Sequence, residues 1–372
     1  MILYQYIISG LVLIIAFNFM LNCFYFRKPR NCKIKEQSEN SFVSVLIPAR
    51  NEEGRIGKCL ESLVQQHYEN FEILVLNDHS SDQTELRIIQ WAEKDSRIRL
   101  IQGKELPVDW TGKGWACQQL GEQAQGDLFL FTDADTWHNE QALASAVSEM
   151  QTSRADLVSL WPRQVAITWS EILVIPFVHV LLLFFLPHWM PGKFRSLGAA
   201  NGQYLLFRKS AYKKIGGHAT VKGHLVDDVA LAREVKVRGL KLLNLDGSAL
   251  VSCRMYENVT QLWEGFTKNL RAGFEDSVAS FLFLFAIQSF VLCFPFFALA
   301  GVFWFPEILP FVALQLTVIF SLRVILAFKC KQPIVSCLFH PFGQLFVLAI
   351  ALNSWMKTAR GGVSWKGRNY SR

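Results

Sequence analysis

The sequence predicts an α/β protein in which a doubly wound, mostly parallel sheet is carried between apolar helices. Three observations predict it. Residues 42–160 alternate short apolar runs with amphipathic stretches. The apolar run 128–132 stops abruptly at two carboxylates, Asp133 and Asp135. The chain begins with one long apolar run and has three more beyond residue 277. Its 372 residues leave room for about two or three domain-sized units.

In order, the pattern gives a strand at 43–47 and a helix at 53–67 with Ile56, Leu60, Leu63 and Val64 on one face. A strand at 71–76, a helix at 82–94, a strand at 98–101 and a helix at 114–125 follow. The strand 128–132, a helix at 139–152 and a strand at 156–161 complete the run. Helices between successive strands mean crossover connections and hence parallel pairing. Farther on, 198–204 precedes a strand, a helix at 210–215 ends at Gly216-Gly217-His218, and a helix spans 228–238.

Side chains two apart on an extended strand point the same way, so Asp133 and Asp135 project together at a strand's C-terminal end. Ligands of open α/β sheets bind at that end. Two acids there suit a divalent cation whose shell is completed by phosphate oxygens. A polar turn with an N-cap at Asp135 or Thr136 is the plainer alternative. Neighbouring strand ends add Pro48, Ala49 and Glu52, then Asp78, and the loop Thr111-Gly112-Lys113-Gly114 adds Lys113. No G-x-G-x-x-G follows the first strand and no G-x-x-x-x-G-K-[ST] occurs, which excludes dinucleotide and P-loop enzymes.

The runs 2–26, 278–305, 308–328 and 333–356 each reach the roughly 20 residues that cross a bilayer as helix. The first has no basic residue before its apolar core and no clear cleavage site after it, so it reads as a retained anchor. Arg27, Lys28, Arg30, Lys33 and Lys35 follow it, which places the N-terminus outside and 27–277 in the cytoplasm. The net charge of +7 fits an anionic inner leaflet, and no basic stripe with interleaved aromatics suggests nucleic acid. Eight scattered cysteines form no C-x-x-C, so neither a zinc site nor a disulfide framework is indicated. The domain plan is an anchor (1–26), a basic linker (27–41), a catalytic domain (42–277) with an interfacial segment at 172–190, membrane helices (278–356) and a basic tail (357–372). If all three late runs span, parity puts that tail outside, against its charge. The break His340-Pro341-Phe342-Gly343 suggests that the last run is re-entrant or interfacial.

The ordered set Pro48-Ala49-Arg50-Asn51-Glu52, Asn77 to Asp82, Thr111 to Ala116, Asp133-Ala134-Asp135 and Val226 to Ala232 resembles the family 2 glycosyltransferases with a GT-A, Rossmann-like nucleotide-sugar-binding fold. The resemblance implies that Asp78 holds the nucleotide base and that Pro48, Ala49 and Glu52 line the uridine pocket. It implies that Asp133 and Asp135 bind Mg²⁺ or Mn²⁺ with the donor diphosphate, beside Lys113. Asp228 matches the general base at the second position of the family's E-D pair, and Asp227 stands where Glu is usual. Asn201, Gly202 and Gln203 fall on the acceptor side. Trp263 and Lys268 occupy the place of the processive Q-x-x-R-W signature, whose absence favours one sugar per acceptor. The tail and the stretches around Tyr256 and Trp263 are similar to membrane glycosyltransferases of bacterial carotenoid pathways, of diaponeurosporenoate type, and to relatives associated with hopanoid clusters. Lys366 and Arg368 would then hold phosphate or simply contact the inner leaflet. The expectation is an inverting hexosyltransferase that uses a nucleotide sugar, UDP-glucose by preference, and a membrane lipid acceptor such as a carotenoid or other isoprenoid. A polyprenyl-phosphate or polysaccharide-step transferase and a non-catalytic sugar-nucleotide-binding scaffold are the alternatives.

Overall fold

The computed structural model describes residues 2–30, 41–190, 197–274, 277–360, 362–365 and 368–370. Lys33, Lys35 and Lys366 lie outside them. By packing, the chain forms two units. One holds Phe26–Arg163 and Pro191–Arg254, the other Met1–Tyr25, Gln164–Met190 and Met255–Arg372. The packing boundary therefore falls at Arg254 rather than at 277.

The first unit is built on strands β1 (Val43–Ala49), β2 (Phe71–Asn77), β3 (Ile98–Gln102), β4 (Leu128–Phe131), β6 (Leu157–Trp161), β7 (Leu205–Arg208) and β8 (Leu242–Asp246). Their order across the sheet is β3-β2-β1-β4-β7-β6-β8. β1 pairs in parallel with β2 and β4, whereas β7 runs antiparallel to both β4 and β6. Helices α1 (Ile56–Val64), α2 (Thr84–Ala92), α3 (Gly112–Gln123), α4 (Ala142–Ser153), α5 (Lys209–Ile215) and α6 (Asp227–Val237) accompany them. The period-two pattern of β1 sorts the core into two faces. Val43, Val45 and Ile47 pack with Cys59 and Leu60 of α1, and Leu46 packs with Ala116, Cys117 and Leu120 of α3. α1 and α2 are shorter at both ends than the amphipathic runs that predict them, because the flanking residues form turns, and the other helices fall within three residues of their expected limits.

Pro48 looks out of place in a central strand, where it forfeits a ladder hydrogen bond. The register explains it. β4 pairs with β1 only as far as Phe131 opposite Leu46, and the last bond on that side runs from Thr132 N–H to the Leu46 carbonyl at 3.1 Å. Pro48 comes after β4 has turned away, so its missing N–H faces a gap. That gap, between β1 and β4, is where the strand order reverses, the place where such sheets bind ligands.

The second unit contains three apolar helical runs of 24 residues each, Ile2–Tyr25, Val278–Gly301 and Pro306–Lys329. At 1.5 Å per residue each is about 36 Å long, enough to cross a hydrocarbon core. The first and third run in parallel. Gln315 Nε2 donates to Gln5 Oε1 at 2.9 Å near their starts, and Lys329 Nζ to the Cys23 carbonyl at 3.3 Å at their ends. The fourth apolar run divides at Phe339 into Val335–Leu338 and His340–Ala359. Pro341 sits in the first turn of the longer piece, where its missing N–H costs nothing, so the expected break lies just before His340 and the rest is unbroken helix. Helix Val259–Ala272 joins this unit because its polar backbone is served there: Arg271 N–H donates to Ser354 Oγ at 3.0 Å, and Asn353 Nδ2 to Thr267 Oγ1 at 2.9 Å. The apolar stretch Trp169–Phe185 is fastened to the late part of the first helix. Asn22 Nδ2 donates to the carbonyls of Leu183 and Leu186 at 2.8 and 2.6 Å.

Candidate active site

The loops that leave β1 and β2 are laced together at the sheet's C-terminal edge. Asn51 (φ 53°) and His79 (φ 51°) turn the chain through the left-handed region, which Asn and His tolerate better than most residues. Asn51 N–H donates to Ser80 Oγ at 3.1 Å, Ser81 N–H to Asn51 Oδ1 at 2.9 Å, and Glu52 N–H to Thr84 Oγ1 at 2.7 Å. Asp78 is buried beneath them, its N–H on the Ala49 carbonyl at 2.8 Å and its own carbonyl held by Arg50 Nη1 at 2.7 Å.

Across the gap, Lys113 projects from the first turn of α3, whose N-cap Thr111 accepts from Gly114 N–H at 3.2 Å. A cation there opposes the helix dipole. It is held nonetheless, because Lys113 Nζ lies 2.6 Å from Asp133 Oδ1. Burial works against the ammonium, but Asp133, Asp227, Cys117 and Asp228 together keep it charged well above the ordinary lysine range. Gly202 shows how tight the junction is: a Cβ on it would stand 3.1 Å from Asp228 Oδ2 and 3.3 Å from Lys113 Nζ. Its N–H donates to Asp228 Oδ2 at 2.7 Å, while Asp228 Oδ1 takes the Val229 N–H at 2.8 Å. Lys113, Asp133, Gly202 and Asp228 thus meet at one junction on the edge of the sheet, and Asp135 feels the charges of Asp133, of Glu52 and of Arg55, which pairs with Glu52 at 3.4 Å.

Three comparisons bear on this arrangement. The model for "Glycosyl transferase family 2" matches residues 44–216, the stretch from β1 through α5. This chain is a glycosyltransferase. It is 30% identical over 251 residues to 4,4'-diaponeurosporenoate glycosyltransferase of Staphylococcus haemolyticus, a match that covers 65% of this chain and 64% of that one. It is 28% identical over 375 residues to the protein of that name in Staphylococcus aureus strain USA300, covering 97% of each. Among solved structures it resembles the mannosyltransferase PcManGT of Pyrobaculum calidifontis, solved with GDP-Man and Mn²⁺. That likeness has TM-score 0.52 and 18% identity, and it covers 94% of this chain and 98% of the other. It speaks for the GT-A fold.

The same edge of the sheet also holds residues that sequence reasoning passed over. A short antiparallel pair, β5 (Thr136–His138) with β9 (Val251–Cys253), sets Cys253 opposite Thr136. The Cys253 thiol then donates to Asp135 Oδ1 at 3.4 Å and receives Gln203 Nε2 at 2.9 Å. Gln203, expected on the acceptor side, is buried and turned toward Cys253. Asn201 accepts from the Gln203 N–H at 2.9 Å, so both brace the loop that carries Gly202. Behind Lys113 lie Cys117, His218 and Asp227, with ligating atoms within 4.8 Å of one another. His218 Nδ1 shares a 2.7 Å hydrogen bond with the Tyr212 hydroxyl, and its Nε2 stands 3.6 Å from Asp227 Oδ2. The i, i+4 spacing of Lys113 and Cys117 on one helix was the available signal. Trp263, Lys268 and Arg368 belong to the other unit, where Trp263 packs edge-on to Phe346 with ring centroids 5.6 Å apart.

Burial and the charges of Asp133 and Glu52 push the Asp135 carboxyl up to about 7. Burial and Asp227 push Asp228 up to about 6. Asp227 goes the other way: although burial opposes it, Lys113 and His218 hold it below the usual carboxylate range. The front of the site therefore carries surplus negative charge on oxygen ligands. That donor set suits a hard divalent cation.

Proposed function

We propose that this glycosyltransferase moves one hexose from a nucleotide sugar, UDP-glucose by preference, to a membrane lipid such as a carotenoid or other isoprenoid, with inversion. The observation that carries the reading is the meeting of Lys113, Asp133 and Asp228 at the sheet's switch point, with Asp135 and Glu52 electrostatically coupled to them. Asp133 and Asp135 would hold Mg²⁺ or Mn²⁺, which as a Lewis acid offsets charge on a departing diphosphate. Lys113 adds a fixed point charge on the same side. Asp78, Pro48, Ala49 and Glu52 sit where the nucleoside would lie, under loops whose mutual hydrogen bonds preform the pocket.

Asp228 is placed to take a proton from an acceptor hydroxyl. Its two oxygens each hold one backbone N–H and keep a lone pair free. A carboxylic acid acceptor, the chemistry in the name of the staphylococcal relatives, is already ionised near neutral pH and asks nothing of this base. For such an acceptor Asp228 would order the Gly202 loop.

The apolar helices support one topology. The first and the 306–329 runs are parallel, so residues that follow Lys329 leave the bundle at the same end as residues that follow Tyr25. With the N-terminus outside, three spans return the basic tail to the cytoplasmic face together with the sheet unit. The fourth apolar run and Trp169–Phe185 then lie at that interface.

The test is transfer from radiolabelled UDP-glucose by the full chain in nanodiscs, with a polyene carboxylic acid or a polyene alcohol as acceptor. A product heavier by one hexose, with a β-linkage, lost in EDTA and restored by Mn²⁺, is the expected result. Donor binding without transfer to any lipid would mark the protein as a scaffold. An α-linked product would end the inverting mechanism.

A further inference from the structure

Within the apolar unit, the guanidinium of Arg323 is enclosed with no carboxylate beside it among the described residues. Arg323, on helix Leu309–Lys329, is fully buried. Its Nη2 donates to Ser336 Oγ at 3.2 Å and lies 3.5 Å from the Ser336 carbonyl. Its Cζ is 5.3 Å from the centre of the Phe177 ring. Nε and Nη1 have no partner among the described residues. Among the described residues the one buried acid of this unit is Glu171, whose Oε2 accepts from the N–H groups of Ile167 and Thr168. The surroundings are polar and also unfinished. His340 stacks on the same Phe177 ring at 5.4 Å and 16°, and its ring nitrogens are buried, with only the Leu292 backbone carbonyl within reach as a weak partner. Gln344, one turn on, gives Nε2 to Gln288 and leaves Oε1 unmatched.

A buried guanidinium is tolerated only when it is paired and its donors are used. Two unused donors on the planar fork of Arg323, with a serine hydroxyl and an imidazole beside them, describe the binding half of a bidentate carboxylate or phosphate contact. The depth fits. Arg323 lies six residues before Lys329, about 9 Å along the helix axis from its end, which is the depth of a lipid's head-to-chain boundary. Gly343 lets the helices close around it, since a Cβ there would overlap the Leu173 carbonyl and crowd Phe177.

We propose that Arg323, Ser336 and His340 form a binding site for the anionic head, carboxylate or phosphate, of a membrane amphiphile. The site rests on the membrane placement of these helices and not on the sugar chemistry, so the transfer assay can fail without touching it.

The test uses the full chain purified in neutral detergent, with bound lipid read by native mass spectrometry. The probes are phosphatidylglycerol, phosphatidylcholine, oleate and oleyl alcohol. The wild type should retain phosphatidylglycerol or oleate at least tenfold better than its neutral counterpart, phosphatidylcholine or oleyl alcohol. Arg323→Met should remove that preference, and Arg323→Lys should restore part of it. His340→Phe keeps the ring stack and removes the nitrogens, so it should weaken anion retention several-fold in a protein whose packing survives. Displacement of phosphatidylglycerol by oleate identifies a free carboxylate as the ligand, and the reverse preference identifies a phospholipid head. Equal retention of oleate and oleyl alcohol by the wild type, or unchanged anion retention in both Arg323→Met and His340→Phe, overturns the proposal.

Discussion

The two units gather opposite charge, mostly half-buried in one and fully buried in the other. The sheet unit gathers Asp133, Asp227 and Asp228 around the ammonium of Lys113 and pairs Glu52 with Arg55, and the Asp135 carboxyl beside them is raised to about 7. The apolar unit buries a guanidinium with Ser336 and an aromatic ring for company. Neither imbalance is a folding device, because an unpaired buried charge destabilises a fold. A cation would relieve the first and an anion the second, which is the charge logic behind the proposed metal-bound donor and the proposed acidic lipid head.

The largest expected effect is on the acidic side. Asp135→Ala should lower transfer at least about 10³-fold, since a charge-stabilising interaction of several kcal/mol is lost. Membrane insertion should not change, and steady-state kinetics beside a fractionation assay checks both. Asp135→Asn sharpens the point through stability. A carboxyl at about 7 in the folded chain and near 3.8 in the unfolded one binds more protons when folded, so its penalty grows as pH rises between those values and is complete above 7. The Asn variant without metal should therefore melt higher than the wild type at pH 8, with the gap closing toward pH 4. Saturating Mn²⁺ should raise the wild type alone. A variant that melts lower at pH 8 would show that the acid pair is balanced from within.

Asp228→Asn should cost about 10²–10⁴-fold with an alcohol acceptor and far less with a carboxylic acid. With the alcohol, the wild-type rate should climb as pH passes through about 6, where Asp228 loses its proton, and then level off. A flat profile from pH 5 to 8 would remove Asp228 from proton transfer. Gly202→Ala is a gentler probe of the same junction. Its methyl would press on Asp228 and Lys113, and a loss of about tenfold in kcat with an intact fold is expected.

Much of this was legible in the sequence because strong periodicity and strand-end acids are local signals. β1, β2, β4 and β6 fall within two residues of their expected limits, and Asp133, Lys113 and Asp228 meet although they stand far apart in the chain. What escaped depends on long-range pairing. β5 and β9 have three residues each, too few for a period to show, so nothing announced that Cys253 would reach Asp135. Gly216-Gly217-His218 was read as a loop closure, yet the close approach of Tyr212 to Gly217 is what aims His218 at Asp227. Trp263 reads as a site residue by its neighbours in sequence, but its ring is spent on Phe346.

The smallest effect tests how much of the basic stretch after the first helix is free for lipid. Arg27 and Arg30 count as membrane-facing charge in the sequence. Yet Arg27 makes a bidentate pair with Glu149, Nη1 and Nη2 each at 2.7 Å, and the Arg30 backbone N–H adds a third contact at 2.7 Å. Glu149 is almost wholly buried, and although burial opposes it, Arg27 and Arg30 hold its carboxyl below the ordinary value. A carboxyl lowered by folding contributes stability above its unfolded pKa and loses it as pH falls through the folded value. Arg27→Ala should thus lower the melting temperature of the sheet unit by a few degrees at pH 7, on the order of 1–2 kcal/mol for a charged hydrogen bond that is partly exposed. The difference should shrink below pH 4.5. Binding to anionic vesicles should fall by no more than Arg27's share of the local charge, because this guanidinium already has a protein partner. A large loss of vesicle binding with no change in melting would return Arg27 to the lipid.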